Sequence, residues 1–155
     1  MRSPFKSGMQ GVFLTAAELT HRDFIVSLTA RNAPGADLLV TDYQCKLTWS
    51  VQVKTNQSTS ANFWLLNASA EKLVSHNFIY VFVGLQGNQR PKFLVVPSRI
   101  VAANVCKETT PRGTFYSFLR NTKFDHKDEG WEEAFGQPSA LFPEEIAPIG
   151  LKTSP

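Results

Sequence analysis

Phe78 to Leu85 (FIYVFVGL) constrains this chain more than any other stretch, because eight successive residues carry no charge and almost no polarity. The run is far short of the roughly 20 residues a membrane-spanning helix needs, but it has the length of a strand. A strand that is apolar on both faces must be covered on both. The run is therefore expected as a central strand in a sheet with helices on either side.

The rest of the chain supplies the elements for such a sheet. Residues 10 to 22 read as an amphipathic helix, with a stripe of Phe13, Ala16, Ala17 and Thr20 widened by Val12 and Leu19. Phe24–Leu28 and Leu38–Val40 read as short strands, separated by an irregular loop containing Asn32, Pro34 and Gly35. A longer strand ends at Lys54, Phe63–Leu66 is a further strand candidate, and Ala68–Ser75 reads as a short helix. Lys92–Val96 is a last strand, and Pro97 opens a helix over 98–105. After Cys106, Thr109–Gly113 is breaker-rich, Phe115–Leu119 is aromatic, and Trp131 and Phe135 have helical spacing in an acidic segment. Four prolines between 136 and 155 point to extended chain.

The formal charge of +3 divides unevenly along the 155 residues. Residues 1 to 107 hold 11 Lys and Arg against 5 Asp and Glu, net +6, and residues 108 to 155 hold 5 against 8, net −3. A basic domain fits a polyanionic partner, since each neutralised phosphate releases condensed counterions, but it also serves solubility. Cys45 and Cys106 are too few for a disulfide framework, and the basic start of the chain is not followed by a signal-type apolar region. The expected location is cytoplasmic, with no membrane association.

Leu47 to Lys54 alternates without a break: Leu47, Trp49, Val51 and Val53 point one way, and Thr48, Ser50, Gln52 and Lys54 the other. Gln52 and Lys54 therefore share a face. Asp37 enters the preceding strand after Gly35 and Ala36. A carboxylate, an amide oxygen and an ammonium brought together suit holding a hard divalent cation, polarising a water and steadying developing phosphate charge. Each residue also has a structural use: Asp37 can close a Gly-containing loop, Lys54 can blunt a strand end, and Glu18 can pair with Arg22 at i, i+4. Arg31 and Asn32 can contact phosphates or simply solvate their loop. His21, His76 and His126 lack metal spacing, and Trp49 and Trp64 sit on apolar strand faces as core residues do. Neither a Gly-rich phosphate loop nor a GxSxG elbow is present.

Residues 31–39 (RNAPGADLL) followed by 51–55 (VQVKT) resemble the core of the PD-(D/E)XK nuclease superfamily, in its Holliday-junction-resolvase-like and Mrr-like restriction branches. The likeness covers residues 8 to 56 well and continues to about 105 in element order only. It implies a single-domain α/β fold, a mixed central β-sheet flanked by helices with a restriction-endonuclease-like α-β-β-β-α-β core over 1–107. An acidic, partly helical C-terminal appendage with a Pro-containing tail would occupy 108–155. It also implies Asp37 as a metal ligand, Gln52 at the acidic motif position, the Val53 backbone carbonyl as a further ligand and Lys54 as the catalytic lysine. Mg²⁺ or Mn²⁺ would be the cofactor and DNA the partner, with Arg31, Asn32 and Lys46 near its phosphates. Gln52 replaces the usual Glu or Asp, a variant that Mrr-like members use, and removes one negative charge from the site. The helix position that carries a Glu in resolvase-like relatives falls on Val12, leaving Glu18, two turns on, as the remaining carboxylate of that helix. Relatives of this size often act as homodimers. The expected activity is hydrolysis of DNA phosphodiester bonds; the alternative is a nuclease-fold module that binds nucleic acid or a protein partner without catalysis.

Overall fold

The computed structural model describes residues 3–30, 35–58, 60, 62–124 and 128–136. Helix α1 (Pro4–His21) leads into strands β1 (Phe24–Leu28), β2 (Leu38–Asp42), β3 (Thr48–Asn56) and β4 (Phe63–Leu66). A 3-10 turn at Ala68–Glu71 precedes β5 (Phe78–Gln86), β6 (Gln89–Pro97) and helix α2 (Ser98–Ala103). Strands β7 (Cys106–Thr110) and β8 (Gly113–Leu119), a 3-10 turn at Thr122–Phe124 and helix α3 (Trp131–Phe135) complete the order. A five-stranded mixed sheet runs β1-β2-β3-β5-β6, with β3 and β5 parallel and the other pairs antiparallel. A second, three-stranded sheet runs β4-β8-β7. This is a single α/β domain. No helix among the described residues is long and apolar enough to cross a membrane.

The apolar run becomes β5, and its residues divide by type between its two faces. Ile79, Val81, Val83 and Leu85 join the cluster under the helices, which contains Val12 and Leu19 of α1 and Trp131 and Phe135 of α3. Phe78, Tyr80 and Phe82 point the other way and meet Trp64, Leu66 and Phe118 of the second sheet and Val101 of α2. Helices on both sides were expected; one of the two covers is instead mostly a sheet. The aromatic face explains the difference, because flat rings pack against a flat layer: Phe82 and Phe118 stack at 4.7 Å with their planes 2° apart. β5 is interior, between β3 and β6, while β3 holds the centre of the five strands.

Three sequence expectations are corrected. The first helix begins at Pro4, with Ser3 as its N-cap accepting from the Lys6 N–H, six residues before the expected start. Its buried face is Ser7, Gly11, Val12, Thr15 and Leu19, whereas Phe13 is 55% exposed. Close approach to β3 selects small residues there: a Cβ on Gly11 would coincide with Thr55 Oγ1. The helix expected over 68–75 shrinks to the 3-10 turn, and the breaker-rich segment after Cys106 is a hairpin whose Pro111 and Arg112 join β7 to β8. Both hairpin strands lie in the second sheet, and Trp64 of β4 stands opposite Phe118 of β8. Chain beyond residue 107, expected as an appendage, thus contributes a core strand and, through α3, the buried Trp131. Residues 137–155, including the expected tail, lie outside the described residues.

Candidate active site

The site is built where β2 begins beside the second half of β3. Pairing of Leu38 with Val51 sets Asp37 across from Gln52, so the two side chains emerge on one face of the sheet. The Asp37 N–H donates to the Val51 carbonyl at 2.8 Å, and the Asp37 carbonyl accepts from the Thr29 N–H at 3.0 Å. Beyond this point the backbone ladder stops and the Asp37 side chain continues it. Asp37 Oδ2 accepts from the Val53 N–H at 2.7 Å and from Gln52 Nε2 at 2.6 Å. One carboxylate thus terminates the sheet and holds the Gln52 side chain and the Val53 N–H.

Lys54 lies two residues beyond Gln52 on the same face, opposite Phe82 in the parallel register. Desolvation by burial lowers its pKa from 10.5, and the nearby Asp37 charge opposes that shift. Burial and the neighbouring carboxylate thus act on the Lys54 ammonium in opposite directions, with burial the larger. Tyr80, opposite Gln52 in the register, has its pKa raised by burial, so its hydroxyl stays protonated beside the site.

The other residues singled out from the sequence are placed differently. Arg31 and Asn32 lie outside the described residues. Lys46 sits in the loop before β3, eight residues from Lys54, which is about 26 Å along an extended strand. Glu18 lies seven residues along α1 from Gly11, about 10 Å, and pairs with Arg22 at 3.8 Å and Arg90 at 3.2 Å. Arg90 also holds Glu129 at 2.9 Å, fastening α1, β6 and the turn before α3. Glu18 is part of this clasp and not of the Asp37 cluster. Val12, at the position where resolvase-like relatives carry a Glu, is buried in the core. Among the described residues no group of three or more His, Cys, Asp or Glu converges.

A cleft of about 680 Å³ opens beside Lys54, between the first turn of α1, the end of β3 and β4. Ser7, Asn56, Gln57, Phe63 and Leu65 line it. None was singled out from the sequence. A signal was present in Phe63-Trp64-Leu65-Leu66, four apolar residues in a strand of which one face buries only Trp64 and Leu66.

No family model matches the chain, and no curated protein sequence matches it. Among solved structures it matches a bacterial homing endonuclease with a TM-score of 0.54, at 14% identity, over 91% of this chain and 97% of that one. It is also matched with Hjc, a Holliday junction resolvase from the archaeal hyperthermophile Archaeoglobus fulgidus, with a TM-score of 0.39 and 17% identity over 66% of this chain and 82% of that one. The chain shares its fold with that homing endonuclease.

Proposed function

We propose that this chain is a divalent-metal-dependent nuclease that hydrolyses DNA phosphodiester bonds, with Asp37, Gln52 and Lys54 as its site. The observation that carries the reading is the hydrogen-bonded joining of Asp37 to Gln52 and Val53 at the strand end, with Lys54 on the same face. The donor set fits a hard divalent ion in kind: a carboxylate, the amide oxygen of Gln52 and the Val53 carbonyl are all oxygen ligands, contributing one negative charge. Asp37 would hold Mg²⁺ or Mn²⁺ with Gln52 and Val53, and the bound ion would supply Lewis-acid polarisation of the phosphate and its attacking water. Lys54 would position that water and, when protonated, steady charge developing on the phosphate. The +6 charge of residues 1–107 supports DNA as the polyanion, and a homodimer in the cytoplasm would address two strands. Incubation with Mn²⁺ and duplex, branched and single-stranded DNA tests the reading. Cleavage that Lys54→Ala abolishes is expected; cleavage equal to the parent's in that variant refutes it.

One observation favours a second reading, a nuclease-fold module that binds nucleic acid or a partner without catalysis. The only carboxylate of α1, Glu18, is committed to Arg22 and Arg90, which leaves Asp37 to supply the negative charge alone. Calorimetry separates the two readings. Mn²⁺ binding that Asp37→Asn removes supports the nuclease, and DNA binding that is unchanged in EDTA, without any Mn²⁺ binding, supports the module.

A further inference from the structure

The cleft beside Lys54 has a division of chemistry that the hydrolytic site does not use. Lys54 lines it together with β4, whose outward residues Phe63 and Leu65 are 43% and 62% exposed while Trp64 and Leu66 are buried. Asn56 fixes that strand in place, since its Nδ2 donates to the Phe63 carbonyl at 2.8 Å and its Oδ1 accepts from the Ser58 N–H at 2.9 Å. Gln57 Nε2 donates to Ser7 Oγ at 2.8 Å. Asn56 and Gln57 are thus engaged with the protein itself, and the surface offered to a ligand combines the exposed Phe63 and Leu65 with a cation lining the same cleft. Those are the two elements of sequence-tolerant recognition of a nucleic-acid strand, where a base stacks on a ring and a cation faces the backbone. The volume lies in the range of single small ligands.

We infer that this cleft receives one unpaired nucleobase, stacked on Phe63, from the strand whose phosphate lies at Lys54. The inference rests on reading Asp37, Gln52 and Lys54 as a DNA site, and it names the substrate class: DNA with an unpaired nucleotide beside the addressed phosphate, as in a bulge, flap or branch. Stacking also gives Phe63 a use for an exposure that packing does not explain.

Binding in EDTA tests this without requiring cleavage. A bulged duplex carrying one unpaired 2-aminopurine and a fully paired duplex of equal length are titrated with the intact protein. The parent is expected to bind the bulged DNA about tenfold more tightly and to quench its fluorescence. Phe63→Ala should lose both effects and Phe63→Trp should keep them. Equal affinity for the two DNAs, quenching that persists in Phe63→Ala, or its loss in Phe63→Trp overturns the stacking assignment. Mn²⁺-dependent cleavage by the parent and Lys54→Ala is scored separately. Failure there removes the hydrolytic reading and leaves the binding result standing, and the reverse also holds.

Discussion

Helix α1 contains two glycines three residues apart that differ in one respect, and the difference predicts opposite signs for the same substitution. A Cβ on Gly8 meets nothing within 4 Å, whereas a Cβ on Gly11 would coincide with Thr55 Oγ1 and lie 3.0 Å from Thr55 Cβ and 3.2 Å from its Cγ2. Replacing glycine by alanine in a helix interior returns about 1 kcal/mol of propensity at either position. Overpacking costs about 1–3 kcal/mol, and only Gly11→Ala incurs it. Rotating Thr55 does not relieve the contact, because its Cβ is itself too near. Gly8→Ala should therefore stabilise by about 1 kcal/mol, and Gly11→Ala should forgo that gain and destabilise by up to about 2 kcal/mol once the propensity term is subtracted. Urea unfolding followed by tryptophan fluorescence measures both. In a Thr55→Ala background the gap between the two variants should narrow; Thr55 Oγ1 has no hydrogen-bond partner among the described residues, so its removal forfeits none. Because Thr55 adjoins Lys54, Gly11→Ala should also slow the proposed Mn²⁺-dependent cleavage while Gly8→Ala leaves it unchanged. Equal stabilisation by the two alanines would refute the close contact between α1 and β3.

Lys54 should titrate below 10.5 in the folded chain by ¹³C-detected NMR, and Asp37→Asn should lower its pKa further, because the Asp37 charge is what opposes desolvation. Between the folded pKa and 10.5 the unfolded chain binds the extra proton, so this group's contribution to stability rises with pH through that window, and its burial cost is felt in full below it. Denaturation series across the alkaline range check the sign, and Lys54→Met should flatten the slope. Asp37→Ala strands the Val53 N–H and the Gln52 amide and should cost about 2–4 kcal/mol in thermal or chemical unfolding, more than Asp37→Asn, which keeps an acceptor oxygen. Phe118→Ala, at a fully buried stacked ring, should cost about 3–5 kcal/mol. Arg90→Ala, whose side chain is 59% exposed, should cost less than about 1 kcal/mol, and less still at high salt.

That Gln52 and Lys54 share a face was legible because alternation is a local property: Trp49 to Lys54 assigns every side chain to a face without knowledge of what covers it. The apolar run at 78–85 likewise announced an interior strand. What covers a strand is non-local, and the second sheet escaped the reading for that reason. Pro111 and Gly113 read as breakers when Pro111 and Arg112 are the turn of a hairpin that Gly113 follows, and the aromatic spacing of Phe118 had no visible partner until Trp64 and Phe82 were placed beside it. The stripe of α1 was misjudged through Phe13, since hydrophobicity points a residue inward only where there is room. Against β3 the helix needed Gly11 and Ser7 instead. That Asp37 Oδ2 binds both the Gln52 amide and the Val53 N–H was not legible, since only the register of β2 on β3 sets these groups together.

The stacking of Phe118 on Phe82 has a consequence for synthesis order. Strands β3, β5 and β6 can pair once residue 97 has left the ribosome, but Phe82 lacks Phe118, and β4 lacks the strand it pairs with, until β8 arrives more than twenty residues later. A nascent chain of this protein therefore passes through an interval in which a complete five-stranded sheet displays an incompletely covered aromatic surface. Stalled or prematurely terminated chains ending between residues 97 and 118 would expose it indefinitely, and such species should be the ones that aggregate or recruit chaperones.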